Sequence, residues 1–273
     1  MQKFQKYIGS LLLASILLSS SVSSIIAAEI VPIEEPEKVV LCIDAGHGGE
    51  TDGAKYEYDG VMVKEKDLNL QIALHLQEEL GKYENVEVVL TRTEDVTIEL
   101  NPRVEYAIEQ KADYLISIHN NAPGAQNPDQ RGCMVLTTVS HYQAPGAKIP
   151  DIYTASEILS LSVVDKLQKL GIPLAAELGA VGGLVKRPYS PEGQARATRY
   201  YQDNSVADYY ALIRYSIEKG LPAIIIEHAY LSSEEDYRAY LETEESILKL
   251  AQADAEGIAE ALGLVKKPEV IPE

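Results

Sequence analysis

Residues Leu41 to Ala54 read LCIDAGHGGETDGA. A run of β-formers ends in Asp44, and one imidazole, His47, then follows in a turn that carries four glycines. A phosphate-binding loop would use the glycines, but it also needs a Gly-Lys-Ser/Thr that is missing here. A purely structural turn needs neither so many glycines nor a histidine. The apolar run before the turn does not alternate with polar residues, which is the pattern of a strand covered on both faces.

Working outward, the chain repeats that theme. Val39 to Asp44, Val86 to Thr91, Tyr114 to His119, Cys133 to Thr138 and Ala223 to Glu227 read as strands. Lys66 to Leu80 reads as a helix with Leu68, Ile72, Leu76 and Leu80 on one face. Pro102 to Lys111 (with Asn101 as its N-cap), Ser156 to Leu170, Val206 to Glu218 and Glu244 to Leu262 read as further helices. Alternation of apolar strands with helices predicts an α/β fold: one open, mostly parallel, mixed sheet with helices on both faces. The site is expected at the C-terminal strand ends.

The domain spans 39–264. It is preceded by an acidic, Pro-containing linker at 29–38 and followed by a polar tail at 265–273. Residues 1–28 carry Lys3 and Lys6, an apolar Ser-rich stretch and Ala27-Ala28, which predicts a secretory signal cleaved after Ala28 and a secreted product. An uncleaved membrane anchor is the alternative reading of that stretch. A formal net charge of −18 argues against nucleic acid as a partner. Cys42 and Cys133 are too few for a disulfide framework and read as small buried hydrophobes, with pairing after export as the open alternative. The stretch 139–205, rich in Gly, Arg and Tyr toward its end, breaks the alternation and is expected to be functional, disordered or both.

Four chemistry-bearing residues fall at strand ends. His47 follows the first strand, His119 closes YLISIH, Glu227 closes AIIIE, and Glu65 precedes the first helix. Two imidazoles and a carboxylate with an open fourth position form the ligand set of a hydrolytic zinc site, and a further carboxylate can act as general base. Asp44 is a candidate for orienting a ligand, or else a strand-end turn residue. Arg187, Arg196 and Arg199 are candidates for pairing with carboxylates of a substrate, and Tyr189, Tyr200 and Tyr201 for stacking on its rings, against the favoured reading of a solvated loop with its tyrosines packed on the sheet. His75 and His141 read as structural or solvated, and His228 should point away from Glu227 across the strand.

The motifs IDAGHGG with TDGA, KEKDLNLQIA, VVLTRTED, SIHNNA and AIIIEHAYLSS, in that order over about Val39 to Ser233, resemble the amidase 3 family of zinc-dependent N-acetylmuramoyl-L-alanine amidases. The resemblance implies one zinc per chain held by His47, Glu65 and His119, with Glu227 as the catalytic glutamate. It implies peptidoglycan as the partner, cut at the amide between the lactyl group of N-acetylmuramic acid and L-alanine, and neither nucleotide nor nucleic acid. The run His228-Ala229-Tyr230 departs from the family, which more often places Thr or another small residue, then Gly and an aromatic, after the glutamate.

Overall fold

The computed structural model describes residues 38–122, 130–176, 179–189 and 198–268. The expected signal segment, the linker up to residue 37 and Arg196 lie outside the described residues. Strands β1 (Val39–Ala45), β2 (Lys55–Tyr58), β3 (Val61–Lys64), β4 (Val86–Leu90), β5 (Tyr114–Asn121), β6 (Met134–Thr137), β7 (Leu184–Lys186) and β8 (Ala223–Tyr230) alternate with helices. The helices are α1 (Glu65–Leu80), α2 (Leu100–Glu109), α3 (Ile152–Lys169), α4 (Ala211–Glu218), the single turn α5 (Glu234–Asp236) and α6 (Glu244–Leu262). A π-helical turn, Tyr237–Leu241, follows α5.

The main sheet has the order β4-β1-β5-β8-β6-β7. All neighbours run parallel except β6 against β8. Alternate side chains feed two cores. Leu41, Ile43, Ile116, Ile118, Ile224 and Ile226 pack under α1, α3 and α6. Cys42, Leu115, Ala223 and Ile225 pack under α2 and α4. This is why the strands read as continuous apolar runs: both faces are covered. β4 lies on one side of β1 and β5 on the other, so chain direction across the sheet reverses there. A crevice at the carboxyl ends of β1 and β5 follows from that topology.

Some elements differ from the expectation, each for a local reason. The Asp59-Gly60 pair, with φ of 52° and 79°, turns β2 into β3. Positive φ at both central residues is the type I′ hairpin geometry that Asp-Gly favours. Helix α2 begins at Leu100, two residues early, which places Pro102 in the first turn, where its missing N–H costs nothing. Helix α3 begins at Ile152, where Asp151 accepts a hydrogen bond from the Thr154 N–H at 3.0 Å. Helix α4 starts only at Ala211, because Ala207 and Tyr209 donate their N–H groups to Arg199 and Arg187 instead. The tail beyond 264 starts as structure: Val265 accepts from Glu84 N–H and Lys267 donates to Lys82. Among the described residues no helix is long and apolar enough to cross a membrane.

Candidate metal centre

The turn after β1 takes an unusual path. His47, Gly48 and Gly49 have φ of 61°, 125° and 57°. The two glycines adopt such angles freely, but a histidine in the left-handed region costs about 1–2 kcal/mol. Two buried guanidiniums offset the cost by gripping successive carbonyls. Arg92 donates to Ala45 at 2.8 Å and Gly46 at 3.0 Å. Arg103 donates to Ala45 at 2.8 Å and His47 at 2.7 Å. Asp44 holds Arg103 in place at 2.6 Å and also accepts from Thr91 and Ser117. Asp44 therefore reaches His47 through Arg103 and the backbone rather than by touching the imidazole.

Glu65, 5 % exposed, opens α1 beneath this turn. Its Oε2 lies 3.1 Å from His47 Nε2 and its Oε1 lies 2.8 Å from His119 Nδ1. Burial raises the Glu65 pKa, but the hydrogen bonds and charge of His119 and His47 outweigh it, leaving the carboxylate well below the usual range. Ala54 N–H donates to Oε2 at 2.8 Å and Asn69 to Oε1 at 3.2 Å. Asn120 then ties β5 to Asn69 at 2.9 Å.

The ligand atoms of His47, Glu65 and His119 all lie within 4.8 Å of one another. Backbone shape keeps the space between them clear. A Cβ on Gly53 would sit 2.5 Å from Glu65 Oε2, and one on Gly46 2.2 Å from His119 Nε2. Two imidazoles and an anionic carboxylate converging in a cradle shaped by glycines suit a divalent ion such as zinc.

Glu227 is the register partner of His119 across β5 and β8, so the two side chains leave the sheet side by side on one face. His228 points to the other face, as expected, and is fully buried. A cavity of about 260 Å³ opens beside His47 and His119, walled by Ile98, Leu100, Leu212 and Ile225. Tyr210 closes one side. Burial raises its phenol pKa, a hydrogen bond with Arg187 acts against that, and the negative charge of Glu227 raises it again. Arg187 thus stands beside Tyr210, with its guanidinium 3.8 Å from the Tyr209 ring centroid.

The remaining candidates separate. Arg199 is exposed, 5.2 Å from the Tyr189 ring. Tyr189 and Tyr201 are buried and Tyr200 is exposed, so only Tyr200 of the three has a free ring face. His75 meets Glu244 on the surface, and His141 lies against Tyr153. Sequence reasoning passed over Arg92, Arg103 and Asn69. Arg92 lies in VVLTRTED, but arginines that bind backbone carbonyls leave no spacing pattern that identifies them.

A family profile described as N-acetylmuramoyl-L-alanine amidase matches residues 41–260. N-acetylmuramoyl-L-alanine amidase AmiC of Escherichia coli O6:H1 is 28% identical over 220 residues, which is 73% of this chain and 47% of that protein. The chain thus spans about half the length of this relative. The sporulation-specific N-acetylmuramoyl-L-alanine amidase of Bacillus subtilis is 44% identical over 87 residues, 32% of each chain. The solved catalytic domain of CwlV, an N-acetylmuramoyl-L-alanine amidase from Bacillus (Paenibacillus) polymyxa, superposes with a TM-score of 0.58 at 27% identity, covering 82% of this chain and 98% of that one. The profile covers most of the chain, and the chain belongs to the N-acetylmuramoyl-L-alanine amidase family known as amidase 3.

Proposed function

We propose that this protein is an exported, zinc-dependent hydrolase of the bacterial wall. It cuts the amide between the lactyl group of N-acetylmuramic acid and the L-alanine that begins the stem peptide. The observation that carries the reading is the convergence of His47, Glu65 and His119 beside Glu227, in a chain that belongs to this family. His47, Glu65 and His119 would hold one zinc per chain. When bound, the ion supplies Lewis acidity, acidifying water and drawing charge from the amide carbonyl.

The chain's own residues do the rest. Glu227 accepts a proton from the attacking water and returns it to the departing alanine nitrogen. The apolar wall of Ile98, Leu100, Leu212 and Ile225 takes the aliphatic part of the substrate and keeps bulk water from one side of the cluster. Arg187, beside Tyr209 and Tyr210, would pair with a stem carboxylate, and Arg199 would be a further contact. Asp44 supports His47 through Arg103.

The test is mass spectrometry of material released from purified peptidoglycan by residues 29–273, with and without a zinc chelator. Free stem peptides beginning with L-alanine, lost when zinc is removed, are expected. Cleavage at another bond would make the protein a different hydrolase, and an untouched wall would point to a binding role. The Glu227→Gln variant should keep its metal and lose about 10²- to 10⁴-fold in turnover. His119→Ala should lose the metal itself, as read by elemental analysis.

A further inference from the structure

β5 and β8 run in register up to the pair His119 and Glu227. The next pair is Asn121 with Tyr230, so β8 spends three steps where β5 spends two. That is a bulge, with one extra residue on β8, at the level where the proposed ligand and the proposed base leave the sheet. A bulge re-aims the side chains around it, so the angle between His119 and Glu227 depends on how it is held.

His228 sits in the bulge and is fully buried on the face opposite Glu227. Its Nδ1 lies 3.0 Å from the His119 carbonyl oxygen, and its Nε2 lies 2.7 Å from Asp254 Oδ2 on α6. A carbonyl can only accept, so Nδ1 carries the hydrogen. Asp254 is also fully buried, on the face whose apolar core includes Ile224, Ile226, Ile247, Leu250 and Ala251. A paired histidine and carboxylate in such a place give no more stability than a well-packed leucine pair. What a leucine lacks is a donor for the His119 carbonyl.

We propose that His228, braced by Asp254, is a positioning residue. It grips the backbone of His119 and so fixes the metal ligand against the general base one position before it. This rests on the metal and base roles proposed above. The bulge has a second support on its far side, where buried Asp236 accepts from Tyr230 N–H at 3.0 Å and Gly132 N–H at 2.7 Å.

The test compares wild type with the double variant His228→Leu, Asp254→Leu, which removes the donor without stranding a buried charge. Zinc affinity is read by chelator competition, ligand geometry by the visible spectrum of the cobalt-substituted protein, and kcat and KM on a soluble muropeptide. The double variant should melt no lower than wild type. Its cobalt spectrum should shift, and kcat or zinc affinity should fall about 10- to 100-fold, with KM changed far less. His228→Gln keeps an N–H donor, and should recover part of kcat and the wild-type spectrum where His228→Met, of similar length, does not. That pair decides the matter should the double variant fold poorly. A double variant with wild-type spectrum, affinity and kcat overturns the positioning role alone. A wild type that binds neither ion overturns the metal reading and this inference with it.

Discussion

At the scale of single residues, the centre depends on backbone that most side chains would spoil. Gly53, with φ of 70°, is the sharpest case, since any Cβ meets the Glu65 carboxylate. Gly53→Ala should cost about 1–3 kcal/mol and weaken metal binding, as read by urea denaturation and chelator competition. Arg103→Met leaves Asp44 charged and unpaired in the core, and a loss of about 3–5 kcal/mol is expected in the same urea experiment. Burial raises the Asp44 pKa, but the Arg103 charge and the Ser117, Thr91 and Arg103 hydrogen bonds carry it below the usual value. Its stabilisation is therefore complete above the unfolded pKa of about 3.9 and drains away as pH falls through the lower folded value. Between pH 5 and pH 2, at about those limits, wild type should lose stability more steeply than Asp44→Asn. His47, Glu65 and His119 were legible as a set because strand ends in an α/β sheet are where imidazoles have least packing reason to be. The arginine grip on the turn was not legible, because guanidinium-to-carbonyl bonds join residues 46 to 58 positions apart.

At the scale of elements, regular alternation was readable and its interruptions were not. The five expected strands and five expected helices all exist, with ends displaced where caps or cross-chain pairing intervene. The hairpin β2–β3 was missed although Asp59-Gly60 announces it, because its strands have only four residues each and lack clean apolar–polar alternation. Strand β7 was missed because three residues carry no period. Tyr58 is the hairpin's main anchor, beside Tyr56 and Val63 packed on the core and an Asp59–Arg238 ion pair at 2.8 Å. Tyr58 stacks on Tyr237 at 4.1 Å, and its hydroxyl donates to Leu231 O at 2.7 Å, just past the end of β8. Tyr58→Phe should cost only about 1 kcal/mol. Tyr58→Ala should also lose the ring stacking and free residues 55–64, seen as faster amide hydrogen exchange there while β1 and β5 stay protected. The bulge in β8 leaves no trace in composition, since it depends on pairing with a strand about a hundred positions earlier in the chain.

At the scale of the whole molecule, the sheet order separates the two cysteines. Three strand spacings, about 14 Å, lie between β1 and β6, and a disulfide needs Cα atoms within about 7 Å. Cys42 and Cys133 also belong to cores on opposite faces. Burial pushes the Cys133 thiol up to about 12 and the Cys42 thiol higher still. Both thiols should ignore an aromatic disulfide reagent at pH 8 in the native protein and react once it is unfolded, and reductant should leave the melting temperature unchanged. The long excursion from Thr138 to Pro222 has a consequence of another kind. It runs between the antiparallel neighbours β6 and β8, adds β7 to the sheet edge on the way, and is clasped by Asp208, which accepts from Thr138, Val139 and Tyr201. None of the proposed metal ligands lies on it, yet Arg187 and Tyr210 do. Descent can therefore rewrite this stretch for a new substrate while leaving the proposed metal cradle untouched. A relative's excursion transplanted between those two anchor points should carry its donor's substrate preference with it.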